Sequence, residues 1–391
     1  MILDRTLFKI IIACLYIKLL FSYLQVELTF FQSNLISNFE RFNFFNVPQN
    51  FSNYVEVVLL PILVGFLFLY SRHYKKTVVL FLMFSLGLIL NGITAILSNS
   101  TLYDSINYNL KLFSPILFYC SLMIYAEKNY MSLKKTFLKI AFFCLGLSCL
   151  ALLFFNPSQN RLVDYLPIYF SGIHTHSYIL VYLFVGISFI ISKKYNLNYL
   201  IAFFTITLAF LFFGYNVRTS IIVYLIYIFT SIYLKSNIST KAFFIQVLFF
   251  TITAGIIFAF VFFEFSIVND FSSGRLTMYK EKMNLIYQNT TIEFLFGRGP
   301  GSDLITTEEW WWAAKGSHSD IITYLIENGV LYYIVFLSTI FLLAYKKIKI
   351  ITGALIFGAV ISSTISNGVF TRPIVGYVFF LTIALINNYE D

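Results

Sequence analysis

The stretch YLIAFFTITLAFLFFGYNVRTSIIVYLIYIFTSIYL, Tyr199 to Leu234, decides the fold class. It holds two apolar runs and a single charge, Arg218, within 36 residues. A helix needs about 20 residues to cross the hydrocarbon of a bilayer. Two crossings use up the whole stretch, leave barely room for a turn, and hold Arg218 at or slightly below the membrane surface.

Outward from this hairpin the same pattern repeats. The 391 residues are 59% hydrophobic and 12% charged, with mean hydropathy +0.80, which excludes a soluble globule. Apolar spans fall at Leu7 to Leu24, Val55 to Ser71, Thr77 to Leu97, Asn109 to Ala126, Thr136 to Phe155, Gly172 to Ser192, Tyr199 to Gly214, Arg218 to Leu234, Ala242 to Ser266, Ile321 to Tyr345, Ile350 to Phe370 and Pro373 to Asn388. The expected fold is therefore all-α, a polytopic integral membrane protein of about twelve transmembrane helices forming one domain over residues 1–391.

Basic connectors alternate along the chain: Arg72, Lys75 and Lys76; Lys128, Lys134 and Lys135; Lys193 and Lys194; Lys235 and Lys241; Lys346, Lys347 and Lys349. The positive-inside rule makes these the cytoplasmic turns and places both termini inside. Most of the +9 net charge lies in them, so it calls for no nucleic-acid partner. Cys14, Cys120, Cys144 and Cys149 all fall in apolar spans and read as small core residues. The first span lacks a small-residue cleavage site and reads as an ordinary first helix.

On this topology the outer segments are Gln25 to Tyr54, Ser98 to Tyr108, Asn156 to Ser171, the turn at Asn216, the long Ile267 to Asp320 loop, and the turn at Thr371. Aromatic-rich Gln25 to Tyr54 reads as a segment lying in the interface. His174, His176 and His318 lie on the outer side, as do Arg161, Arg218, Arg275, Arg298 and Arg372. Cations on the disfavoured side point to an anionic ligand.

Arg218 has two readings, snorkelling to lipid phosphates or a fixed diphosphate contact. In SSGRLTMYKEKMNLI, Ser272 or Ser273 caps a helix whose first turn holds Arg275, where a cation opposes the helix dipole. A bound phosphate would offset that penalty. Tyr279 and Lys282 share a face with Arg275, which equally fits an amphipathic helix on the membrane.

FLFGRGPGS, Phe294 to Ser302, follows no strand, so neither the Rossmann nor the P-loop reading applies. Its glycines give a tight backbone path near a substrate or near helix ends. Trp310 to Trp312 read as an interfacial belt or as a sugar-stacking surface. His318, in GSHSDIITYLIENG, precedes a long helix with Ser317 or Ser319 as N-cap, and stands as a candidate general base or as a structural residue. Asp320, Tyr324 and Glu327 recur at helical spacing, and Asn328-Gly329 interrupts that helix. Asp303, Glu308 and Glu309 make an unconvincing metal set.

An arginine in a short outer turn, Gly274-Arg275 opening an outer helix, the FGRGPGS run, and GSHSD followed by Glu327 to Gly329 together resemble the O-antigen polymerase and ligase superfamily. Arg161, ten residues and then Gly172 is similar to an Arg-x10-Gly motif of the polymerases. The likeness is densest over Arg218 to Gly329 and weak before Arg161.

The resemblance implies a GT-C-like membrane glycosyltransferase with a helical periplasmic loop at 267–320, working at the periplasmic face of a bacterial inner membrane. Donor and acceptor would be glycans on undecaprenyl diphosphate, with membrane lipid and a chain-length regulator as further partners. It implies catalytic roles for His318, Arg275 and Arg218, and substrate contacts at Arg161, Tyr279, Arg298, Asp320, Tyr324, Glu327 and Arg372. The transfer would invert the anomeric centre and need neither metal nor cofactor. A ligase acting on lipid A-core and a flippase or other transporter are the rival readings; a transporter would carry charges deep along a central path.

Overall fold

The computed structural model describes residues 2–24, 27–31, 39–43, 51–70, 75–154, 169–170, 173–235, 275–308, 314–344 and 349–389. Its helices are α1 (Ile2–Leu24), α2 (Phe51–Tyr70), α3 (Lys75–Leu97), α4 (Leu102–Phe154), α5 (Ile173–Lys194), α6 (Leu197–Phe210), α7 (Arg218–Lys235), α8 (Arg275–Tyr287), α9 (Thr291–Phe296), α10 (Asp320–Ala344), α11 (Ile350–Ile365) and α12 (Pro373–Asn387). Six of them contain segments long and apolar enough to cross a membrane: Arg5–Leu24, Val78–Leu97, His174–Lys194, Leu197–Tyr215, Arg218–Lys235 and Asp320–Ile340. Four shorter apolar helices, Tyr54–Leu69, Leu112–Glu127, Ile350–Ile365 and Pro373–Asn387, accompany them. This is the architecture of a multi-pass membrane protein.

The expected spans Asn109 to Ala126 and Thr136 to Phe155 are the two arms of α4, which bends at non-helical Asn129. Asn129 Nδ2 donates to the Tyr125 carbonyl at 3.3 Å, satisfying an acceptor at the bend. The Ala242 to Ser266 span lies outside the described residues. In the opening hairpin, α6 widens into a π-helical turn over Leu211–Tyr215, and Asn216 adopts a left-handed conformation with φ 48° that reverses the chain. This is how two helices fit into so short a stretch.

The centre of the bundle is α12, in which every residue from Val375 to Ile386 is buried. A helix that is apolar all round belongs inside its neighbours, and α12 packs chiefly against α4 and α5. One charged pair is buried nearby: Lys18 of α1 meets Glu56 of α2, whose other oxygen accepts from Ser114 of α4 and from Tyr377 of α12 at 2.8 Å. Four helices are thereby joined through one carboxylate. Of the cysteines, Cys14, Cys120 and Cys144 are buried, whereas Cys149 is exposed on its helix and not in the core.

One small sheet accompanies the helices. Glu27–Phe31 (β1) and Phe39–Asn43 (β2) form an antiparallel hairpin, and Tyr169–Phe170 (β3) adds to its other edge. Aromatic and β-branched residues favour pleated backbone, and pairing satisfies peptide groups that neighbouring lipid would leave unmet. The Gln25 to Tyr54 and Asn156 to Ser171 segments thus meet at one end of the bundle. Thr94 Oγ1 donates to Phe296 O at 2.6 Å and Arg275 Nη1 to Ile365 O at 3.2 Å, so the α3–α4 turn, the 275–320 region and the α11–α12 turn share contacts in the same way. Lys235 donates to the carbonyls of Ser192 and Tyr195, and Lys349 to Tyr389 O at 2.6 Å, at turns from the other, lysine-rich set.

Candidate functional site

The local structure begins with a broken helix. Gly329 has φ 75° and ψ 174°, a conformation essentially closed to residues with a side chain, and it splits α10. A break strands carbonyls that would otherwise accept from the next turn. The glycine-rich run fills them: Arg298 N donates to Ile326 O at 2.8 Å and Gly299 N to Glu327 O at 3.1 Å. A Cβ on Gly297 would lie 2.4 Å from Glu327 O, so only glycine permits the approach. Of the two backbone roles expected for these glycines, the structure shows the approach to a helix end.

The same loop aims further amides inward, a nest of the kind that binds anions. The anion is the protein's own: Glu327 Oε1 accepts from Gly301 N at 3.0 Å and from Asp303 N at 3.4 Å. Glu327 is 2% exposed, so the expected sugar contact is corrected to a structural one. Arg298 is corrected likewise. Its Nε donates to Asn289 Oδ1 at 2.6 Å and its Nη2 to Leu285 O at 3.1 Å, which closes the C-terminal end of α8.

His318 stands two residues before α10 with φ 50°, a left-handed backbone uncommon for a side-chain-bearing residue. Its flanking serines hold it there. Ser317 N and Oγ donate to Asp303 Oδ2 at 2.8 and 3.1 Å, and Thr323 Oγ1 reaches the same oxygen at 2.7 Å. Ser319 caps α10, its Oγ accepting from Ile322 N at 3.4 Å. Asp303 Oδ1 is ion-paired to Lys282 of α8 at 3.2 Å, and the same ammonium donates to the carbonyls of Asp303 and Lys315. α8 is thus tied from its middle to the loop that presents His318.

The first residues of α8 reach the same place. Arg275 Nη1 donates to Ile365 O at 3.2 Å, and the Tyr279 hydroxyl donates toward Ile365 O at 3.0 Å and His318 O at 3.4 Å. Asp320, buried, accepts from Gly368 N at 3.0 Å and Thr371 Oγ1 at 2.6 Å. Those two bonds fix the turn that delivers Arg372, the N-cap of α12. The Arg372 guanidinium lies 5.9 Å from the centre of the Tyr178 ring. Tyr324, one turn into α10, is buried and donates to Phe370 O at 3.2 Å, supporting the same turn from beneath.

Three helices, α8, α10 and α12, therefore begin around one histidine. Helix N-termini carry partial positive charge, and two of these three also start at an arginine, where a cation is disfavoured by about 0.3–1 kcal/mol. Burial pushes the His318 imidazole down to about 4; Arg275, Lys315 and Arg372 add to this, while Asp303 pulls the other way. Burial raises the Tyr279 phenol to about 12, with Arg275 opposing and Asp320 adding. The place is electropositive, holds a neutral imidazole and suits an anion.

Arg218 is exposed at the start of α7. Val223 packs antiparallel against Gly358 of α11, which puts Arg218 toward the end of the bundle where α11 finishes at Ile365. His176 is structural, stacked at 4.0 Å on Tyr23 and bonded to Ser22 O at 3.0 Å. Arg161 and Trp310 to Trp312 lie outside the described residues.

Sequence reasoning passed over Lys282 and Asp303 as a pair, and Lys315. The available signal was an acid inside a glycine-rich loop facing a lysine seven residues after Arg275. Among the described residues, no group of three or more His, Cys, Asp or Glu side chains is placed to hold a metal ion. Comparison with protein-family models, curated proteins and solved structures returned no match for this chain.

Proposed function

We propose that this chain is a membrane glycosyltransferase that polymerises lipid-linked repeat units of a surface polysaccharide, in the manner of the O-antigen polymerases. The observation that carries the reading is the convergence of three helix N-termini, Arg275 and Arg372 on His318 at one end of an apolar bundle. In this reading about twelve helices cross a bacterial inner membrane, both termini are cytoplasmic and the site is periplasmic. Donor and acceptor are glycans on undecaprenyl diphosphate.

A hydroxyl oxygen of the acceptor attacks the donor's anomeric carbon while the bond from that carbon to the phosphate oxygen breaks. The hydroxyl proton passes to His318, and the diphosphate leaves with the bonding electrons, its charge met by Arg275, Arg372 and, from α7, Arg218. Tyr279 and Asp320 hold the walls of the site. An imidazole near 4 is a weak base, and the cations that depress it are those the diphosphate would neutralise. Donor binding therefore makes His318 a better base.

Cells carrying His318→Ala or Arg275→Ala, expressed at the normal level, are expected to accumulate single capped repeats on the lipid carrier. Normal long polymer in both variants would overturn the reading. Long polymer left on the lipid carrier would assign the chain to the ligases instead.

A further inference from the structure

The ion pair between Lys282 and Asp303 has no direct part in the chemistry proposed above, yet it joins the middle of α8 to the residues that flank His318. Both side chains are buried, the lysine at 0% and the aspartate at 2% exposure. One carboxylate oxygen faces the ammonium. The other collects three donors, Ser317 N, Ser317 Oγ and Thr323 Oγ1, from the residues on either side of His318. The lysine's remaining capacity goes to the backbone carbonyls of Asp303 and Lys315, which bracket the loop. Lys315 N in turn donates to Ile305 O at 3.0 Å, pinching the loop shut between them. Buried pairs of this kind contribute little net stability but are costly to break by removing one partner, which leaves a lone buried charge.

We propose that Lys282 and Asp303 are a positioning pair, which locks the His318 turn onto α8 and tunes the imidazole through the charge it places behind that turn. The proposal rests on reading His318 as the working base, and its physical content can be measured without that reading. The charged groups that act on the imidazole are Arg275 from α8, Lys315 and Asp303 from the loop and Arg372 at the start of α12, while Tyr279 of α8 reaches the His318 carbonyl. Of these, Asp303 is the carboxylate that favours the imidazolium, and Lys282 is the cation held behind it. Removing either partner changes the field at His318 in opposite directions, whereas a purely structural clasp would change it in neither direction or the same direction for both.

The test is histidine NMR titration of the detergent-solubilised full-length protein, with the His318 signal identified by its loss in His318→Gln. Lys282→Met is expected to raise the His318 midpoint, because the Asp303 carboxylate then stands behind the turn without its counter-charge. Asp303→Asn is expected to lower it. The double variant Lys282→Met/Asp303→Asn, which buries no lone charge and so is expected to fold, is also expected below the wild type, since the carboxylate is nearer the turn than the ammonium. Lys282→Arg is expected to restore the wild-type midpoint. Single variants that shift the midpoint together, or a folded double variant that titrates as wild type, would overturn the proposal. If the midpoints move as expected while His318→Ala still makes normal polymer, the positioning pair stands and the proposed function falls.

Discussion

His318 is half-buried, and its left-handed backbone is held by neighbours that would have to move for it to relax. Its folded-state midpoint, about 4, lies below the ordinary 6.5. Between those values an unfolded chain takes up a proton that the folded chain refuses, so stability is intact above 6.5 and falls as the pH drops toward 4. Thermal melts in detergent should show a loss from neutral to acid pH that is smaller in His318→Gln, and equal losses would contradict the neutral assignment. For the proposed reaction, the acid limb of kcat is expected at higher pH than that of kcat/KM, because the bound diphosphate offsets Arg275 and Arg372. The residues that proved central were legible only in part. His318, Arg275, Tyr279, Asp320 and Arg372 stand out because charge beside a membrane is costly. Nothing in sequence spacing tells that Glu327 turns toward backbone amides or that Asp303 meets Lys282, since both depend on how a loop folds back over a helix.

At the scale of elements, the break in α10 and the glycine loop are one structure in two pieces. Each piece leaves polar backbone groups that the other satisfies, and the two glycines nearest the junction have no room for a side chain. Gly301 shares their positive φ, at 81°, but nothing lies within 4 Å of the position its Cβ would take. Gly301→Ala is thus expected to cost about 1 kcal/mol, the backbone penalty alone. Gly329→Ala and Gly297→Ala add a clash with backbone atoms and are expected to cost several times that, about 3 kcal/mol or more. Comparable melting temperatures for all three variants would show that the junction is looser than its contacts indicate. The sequence marks the interruption at Asn328-Gly329 plainly, but not its partner; the loop's likeness to a phosphate cradle is real in its geometry and misleading about which anion fills it.

For the whole molecule, the proposed orientation makes a direct expectation. With Cys149 replaced by Ser, a cysteine at exposed Glu308 should react with an impermeant thiol reagent in intact cells, and a cysteine at exposed Lys194 should react only after the membrane is opened. The reverse pattern would invert the topology. Helix positions were readable because apolar runs of membrane length have few alternatives, and the opening hairpin at Tyr199 to Leu234 is the clearest case. The small sheet was not, because β1 and β3 lie far apart in sequence with several helices between them.

Two of the three arginines that would meet a diphosphate are anchored to different references. Arg372 caps α12, whose side chains from Val375 to Ile386 touch only protein, so its height is set by the interior of the bundle. Arg218 begins a helix on which Ile222 and Phe229 remain exposed, so its height also follows the lipid. A thinner or thicker bilayer would shift one relative to the other. The separation of the two cations thereby becomes a property shared between the protein and the membrane in which it sits.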